Sequence, residues 1–199
     1  MKRPDGAQTW KPLEAGAARS TRGGPSFTLR NRLLRVVWRA CWFLLARWTP
    51  PPMHDWRAGI LRLFGAQLGP HCRVHASVEI WWPGNLTLDA NVLIGPRAVL
   101  YNQGHITIGA NSVVSQRAHL CASTHDLRDS HFQLVLRPVT LGERCWVAAE
   151  AFVGPGVTMG DGSVLGARGA LFENADDWTI YRGNPALPVR RRERPAGVA

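Results

Sequence analysis

Aliphatic residues recur at six-residue spacing between Leu68 and Leu171, and few folds accommodate that period. Leu68-Gly69 with Cys72, Val74 with Val78, and Ile80 form one triplet; Leu88 with Val92, Ile94-Gly95 with Ala98, and Leu100 form the next. Ile108-Gly109 with Ser112, Val114 with Ala118 and Leu120 with Thr124 follow. After a break the register resumes with Leu141-Gly142 and Cys145, Val147 with Ala151, and Val153-Gly154 with Val157. Met159-Gly160 with Ser163, Leu165-Gly166 and Leu171 close it. One such match means little, whereas five successive triplets in register specify a repeat architecture. A longer likeness adds to this: the eleven residues from Gly84 match those from Gly104 after a shift of 20. That shift is three hexapeptides plus two residues, as if each coil carried a small bulge at one corner.

The pattern suits a triangular solenoid. Each strand turns its aliphatic residue inward, and a small residue follows where the chain rounds a corner. Glycine there permits tight or positive-φ backbone. Stacked coils share one apolar column and pair their backbones with the coils above and below. The fold class is therefore all-β, a parallel β-helix of about five coils with an α-helical segment before it. A β-sandwich of short strands would explain neither the period of six nor the persistent glycine phase.

The flanks differ from this body. Residues 1–26 are rich in Gly, Ala, Arg, Ser and Pro without apolar periodicity, and are expected to form a disordered basic tail. The segment 27–66 is helical: Thr28 caps a helix from Leu29 to Arg47, which Pro50-Pro51-Pro52 ends. On a helical wheel Arg32, Arg35 and Arg39 fall within about 60° of one another, opposite Leu34, Val37, Trp38, Cys41, Leu44 and Leu45. The uncharged run Ala40–Ala46 is far short of the roughly 20 residues that span a bilayer. With Trp38, Trp42 and Trp48, the helix suits either a membrane interface or a cap on the β-body. A second helix is expected from an Asp55 N-cap to Phe64, ending at Gly65 and burying Ile60, Leu61 and Phe64. The β-helix occupies 67–173 with a loop at 126–140, and 174–199 form a basic extension.

Charge follows the same division. Residues 1–64 carry a balance of +9, residues 65–181 of −3 and residues 182–199 of +4, within the total of +10. A mildly acidic body with basic ends implies a local anionic partner such as lipid headgroups or cofactor phosphates. No nucleic-acid-binding motif accompanies the basic residues, so no nucleic-acid partner is expected. Cys41, Cys72, Cys121 and Cys145 are widely spaced, which reads as four reduced thiols in a cytoplasmic protein.

The repeats, the break after Thr124-His125 and the ending Arg182-Gly183-Asn184-Pro185-Ala186 resemble the hexapeptide-repeat acyltransferases. Within them the chain is most similar to the colanic acid biosynthesis acetyltransferase subgroup, over roughly Phe27 to Arg192. The resemblance implies a left-handed β-helix, a homotrimer, active sites in the clefts between subunits, and acetyl-CoA as co-substrate with no metal. It further implies a sugar or lipid-linked oligosaccharide acceptor in exopolysaccharide synthesis. The place of action would be the cytoplasm, peripheral to the inner face of the membrane through residues 29–48.

Acyl transfer to an alcohol needs a base, and a histidine suits that work near neutral pH. His125 ends the third coil where the register breaks, and the resemblance places the catalytic histidine at Ser123-Thr124-His125-Asp126. It also implies a CoA site flanked by Trp146, with backbone groups near Ala149 and Ala167 and a phosphate-binding Arg190. Phe172-Glu173 and Leu187 depart from the family pattern, and Arg168, or Arg191 and Arg192, are the candidates to compensate. The Arg190–Arg192 run reads equally as a solvated tail. Asn102 and Gln103 stand where galactoside-type relatives carry acidic acceptor ligands, while Gly95 replaces an Asn. Two rival readings remain: an acyltransferase of another donor or an amine acceptor, and a zinc protein like the γ-class carbonic anhydrases, using His119, His125 and His131.

Overall fold

The computed structural model describes residues 26–195. The expected tail therefore lies, apart from Ser26, outside the described residues. Thr28 caps α1 (Leu29–Leu45) as anticipated, its hydroxyl accepting from the Asn31 N–H. Helix α2 (His54–Leu63) ends before Gly65, whose φ of +93° no other residue adopts easily. Its N-cap is Met53 with no side-chain bond, so Asp55 lies inside the first turn instead of capping it.

Five complete coils follow. The first consists of β1 (Gln67–Leu68), β2 (Arg73–Val74) and β3 (Glu79–Ile80). The second has β4 (Leu86–Leu88), β5 (Leu93–Ile94) and β6 (Val99–Tyr101), and the third β7 (Ile106–Ile108), β8 (Val113–Val114) and β9 (His119–Cys121). An antiparallel hairpin, β10 (Ser123–His125) with β11 (Leu134–Leu136), then leaves the solenoid. The fourth coil is β12 (Val139–Leu141), β13 (Trp146–Val147) and β14 (Phe152–Val153); the fifth is β15 (Thr158–Met159), β16 (Val164–Leu165) and β17 (Ala170–Leu171). The segment expected to be loop through Thr140 is thus a hairpin, and the solenoid resumes at Val139.

The strands stack into three parallel faces: β1-β4-β7-β12-β15, β2-β5-β8-β13-β16 and β3-β6-β9-β14-β17. On the first, Leu68, Leu88, Ile108, Leu141 and Met159 sit in one ladder, all but Leu68 at most 1% exposed. Val74, Ile94, Val114, Val147 and Leu165 form the second inward column, and Ile80, Leu100, Leu120, Val153 and Leu171 the third. The 20-residue likeness is the coil height itself, since Leu86 pairs with Ile106 and Leu88 with Ile108.

Glycine has a narrower role at the corners than expected. A Cβ on Gly95 would stand 2.8 Å from the Gln116 nitrogen, and one on Gly69 2.7 Å from that of Ala90. Close approach of the next coil, with no positive φ, excludes a side chain there. The left-handed residue lies two places later, and Asn91, Arg97, Asn111, Arg117, Arg144, Glu150 and Arg168 adopt it with φ between 54° and 60°.

Both ends are covered. Trp38, Trp42, Ile60 and Leu61 are buried over the first coil. At the other end β18 (Thr179–Gly183) extends the second face and β19 (Ala186–Arg191) folds back on it. Residues 174–199 were expected as a mere basic extension, but Trp178 and Tyr181 there are each 5% exposed and close the core.

Helix α1 packs by a face other than the one its arginine strip suggested. Of the six apolar residues opposite the arginines, only Trp38 is buried; Trp42 and Ala46 complete the contact. The Trp38 indole N–H donates to the Ile80 carbonyl, and the Arg35 guanidinium lies 4.2 Å from the Trp81 ring. That cation–π contact draws one arginine toward the body. The outward face is left apolar: Leu29, Leu33, Val36, Val37 and Leu44 are all more than half exposed.

Candidate active site

His125 closes β10, where its backbone pairs with Leu134 across the hairpin. The side chain is exposed, and Nδ1 lies 2.6 Å from the Phe132 carbonyl oxygen. A carbonyl only accepts, so Nδ1 carries the proton and Nε2 is left with its lone pair directed away. The turn beneath is braced by its own aspartates: the Arg128 N–H donates to Asp126 and the His131 N–H to Asp129, at 2.9 and 2.7 Å. Phe132, whose carbonyl is that acceptor, adopts a left-handed φ of 50° in this turn. Sequence reading found the histidine but had no signal for its anchoring carbonyl.

A groove of about 780 Å³ runs along the corner between the second and third faces. Trp146, Ala149, Ala167 and Arg190, four of the residues expected at the cofactor, line it together. Three successive turns build its floor: Ser115-Gln116, Ala148-Ala149 and Gly166-Ala167. In each, the first residue donates to the coil above, while the N–H groups of Gln116, Ala149 and Ala167 meet no acceptor among the described residues. The corner thus offers a column of amide donors. The Trp146 indole N–H donates to Ser115 Oγ at 2.9 Å, which fixes a ring still 48% exposed. Ser115 and Gln116 went unnoticed in the sequence, although the repeat register places them one coil from Ala148-Ala149.

The basic residues sort into two kinds. Arg182 and Arg190 reach the groove with no ion pair or side-chain hydrogen bond among the described residues. Arg191 donates to Asp177 and Thr179, and Arg192 to the Arg144 and Gly162 carbonyls while lying over Trp178. The run is therefore a strand that ties down the last coil, and the solvated-tail reading is set aside. Arg168 stands apart from the groove lining, donating to Glu150 at 2.7 Å. Hydrogen bonds from Arg168 and then Arg117 hold the Glu150 carboxyl below its ordinary range.

Asn102 is bonded within the fold. It is fully buried; its amide oxygen accepts from the Trp81 and Trp82 N–H groups, and its NH₂ donates to the Trp82 carbonyl. It locks the corner bulge between the first and second coils, a structural task beside the substrate role expected of it. Gln103 is 9% exposed and its side-chain oxygen has no partner. The three histidines of the zinc reading are not brought together. His119 packs edge-on against Phe152, His125 is bound to Phe132, and His131 contacts Ser130 and Asp129. Among the described residues no group of three potential ligands exists.

No protein-family profile matches the chain. It is 43% identical over 162 residues to the "Putative colanic acid biosynthesis acetyltransferase WcaF" of Escherichia coli, covering 81% of this chain and 89% of that one. Among solved structures it superposes on a maltose O-acetyltransferase from Clostridium difficile with a TM-score of 0.76, at 20% identity over 84% of this chain and 90% of that one. A hexapeptide-repeat acetyltransferase of Vibrio cholerae, complexed with acetyl coenzyme A, gives 0.75 at 18% identity over 84% and 91%. With its stacked triplet ladders and its likeness to WcaF over 162 residues, this chain belongs to the hexapeptide-repeat acetyltransferase family.

Proposed function

We propose that the protein is an acetyl-CoA-dependent O-acetyltransferase that modifies a sugar hydroxyl in exopolysaccharide synthesis, with His125 as general base. The anchored Nδ1 of His125 carries this reading, because it leaves Nε2 as the sole basic nitrogen. Nε2 takes the proton of the attacking hydroxyl as its oxygen bonds to the thioester carbonyl. The tetrahedral intermediate collapses with loss of the CoA thiolate, which recovers that proton from the imidazolium. The Phe132 carbonyl favours the imidazolium that forms between the two steps. The Vibrio cholerae relative's complex and the groove's free amides, Trp146, Arg182 and Arg190 support acetyl-CoA as the donor.

The groove and His125 occupy different corners of the triangle, so one chain does not bring base and thioester together. A homotrimer, in which the hairpin of one subunit meets the groove of the next, resolves this. The apolar outward face of α1, bordered by Arg30, Arg32 and Arg39, supports peripheral contact with an anionic membrane. No helix among the described residues is long and apolar enough to cross one.

His125→Ala tests the mechanism. The variant should fold and bind acetyl-CoA as wild type while turnover falls about 10²- to 10⁴-fold, the usual share of a general base. Near-normal transfer from acetyl-CoA would sink the assignment.

A further inference from the structure

A second groove, of about 680 Å³, lies between α1 and the third face. Arg35, Arg39 and Arg47 line it from the helix side, and Glu79, Trp81 and Tyr101 from the solenoid. Nothing in the proposed acyl-transfer step uses these cations. Among the described residues Arg39 and Arg47 make no ion pair or side-chain hydrogen bond, and Glu79 is in no ion pair either. Arg35 is held over Trp81, and its buried Nε–H has no acceptor among the described residues. A buried donor without a partner is costly, and three guanidinium groups on one wall repel one another. Burial, and next the charge of Arg39, lower the proton affinity of Arg35, as expected where positive charge goes uncompensated. An anion in the groove would relieve both costs.

The other wall indicates what the anion is attached to. Tyr101 presents a ring 37% exposed, and Glu79 is an acceptor for hydroxyl groups. An aromatic face, a free carboxylate and two free guanidinium forks are the complement of a phosphorylated sugar. Tyr101 pairs with Cys121 at the end of β9, and β10, which ends in His125, begins two residues later at Ser123, so the face that carries the groove leads directly into the hairpin that carries the base.

We infer that this groove holds the acceptor as a glycosyl phosphate or diphosphate. Arg39 and Arg47 bind the phosphate oxygens, Tyr101 packs on the sugar, and Glu79 accepts one of its hydroxyls. Its catalytic meaning rests on the proposed role of His125, but the binding itself does not. A nucleotide sugar and a polyprenyl-diphosphate sugar carry the same group, and the apolar face of α1 lies beside the groove for the second.

Calorimetric titration of the full-length protein with glucose 1-phosphate, inorganic pyrophosphate and glucose tests the inference. Both phosphates should bind, glucose at least about tenfold more weakly than glucose 1-phosphate, and added salt should weaken only the phosphates. The Arg39→Ala/Arg47→Ala double variant should lose about tenfold or more for both phosphates. Arg30→Ala, on the same helix but outside the groove, should change neither. Equal binding of glucose and glucose 1-phosphate, no binding of either phosphate, or an unaffected double variant would each overturn it. Titration with UDP-glucose and with farnesyl-diphosphate-linked glucose separates the two sources by which binds more tightly, and binding by neither also overturns it. Full transfer by His125→Ala alongside the predicted arginine effect would reject the base and leave this site standing.

Discussion

Arg57 on α2 is fully buried, yet among the described residues no carboxylate pairs with it. Its Nε donates to the Val74 carbonyl at 2.7 Å, one terminal nitrogen to Thr49 Oγ1 and the Pro50 carbonyl, and the other to the Pro51 carbonyl and His54 Nδ1. All five donors are therefore used, and the guanidinium joins the α1–α2 linker to the first coil. Replacing it with methionine keeps much of the volume and removes the bonds. The Val74 acceptor is buried, so losing its donor costs about 1–3 kcal/mol. The remaining acceptors are part-buried and regain water, which limits each loss to about 0.5–1 kcal/mol. Relief of the guanidinium's own desolvation offsets part of this sum. The balance is about 3–4 kcal/mol, and it falls on the linker and α1, not on the solenoid ladder.

Such a loss should appear as local opening. At about 1.4 kcal/mol per factor of ten, amide exchange in residues 29–57 of Arg57→Met should accelerate roughly 10²- to 10³-fold. Amides in β7, β8 and β9 should exchange as in wild type, because their partners lie in the neighbouring coils. Hydrogen exchange read by mass spectrometry resolves the two regions. Unchanged protection across 29–57, or equal acceleration in the third coil, would refute the view that Arg57 holds α1 in place.

Trp146→Ala should raise the dissociation constant for acetyl-CoA roughly tenfold, in line with an aromatic contact of about 1 kcal/mol plus lost area. Unchanged affinity by titration would remove Trp146 from the groove's binding surface. Burial lowers the pKa of His54, His75 and His119. The unfolded chain takes up these protons near pH 6.5 while the folded chain does not, so stability is full above that value and lost as pH falls below it toward the depressed folded values. Thermal melts from pH 7.5 to 5.5 should show a falling midpoint, and His54→Gln should flatten the fall; an unchanged midpoint would contradict it.

What the sequence made legible follows from where the chain repeats. Leu68, Leu88 and Ile108 announce one column because each must fill the same space in successive coils. Ala149 and Ala167 came from the family resemblance, and the repeat explains why they stack one coil apart. His125 was visible as the point where the period stops. The bonding of Asn102 was not legible because one residue type serves a ligand or a buried bulge equally well, and only the structure shows its three hydrogen bonds to Trp81 and Trp82. The packing face of α1 was hidden for a related reason. A helix apolar around most of its circumference has several faces that could be buried, and Trp38 and Arg35 choose through contacts with Ile80 and Trp81 on β3 and the residue after it.

On the proposed function, the corners of the triangle divide the labour between donor and acceptor. From the first face to the second, and from the second to the third, every coil turns in the same number of residues, so small side chains and free amides stack into a smooth groove. A donor common to many reactions needs no more variety than that. The third corner differs in each of the first three coils: a short 3-10 turn at Pro83–Asn85, the turn before Ile106, and the hairpin bearing His125. Backbone leaving a corner sideways disturbs no ladder, because the strands before and after it keep their partners in the coils above and below. Changes in that corner, and in α1 beside it, can therefore alter the acceptor without cost to the scaffold. The same freedom removes the periodic constraint that made the donor side readable, which is why the acceptor has to be argued from arginines and a tyrosine instead of from the repeat.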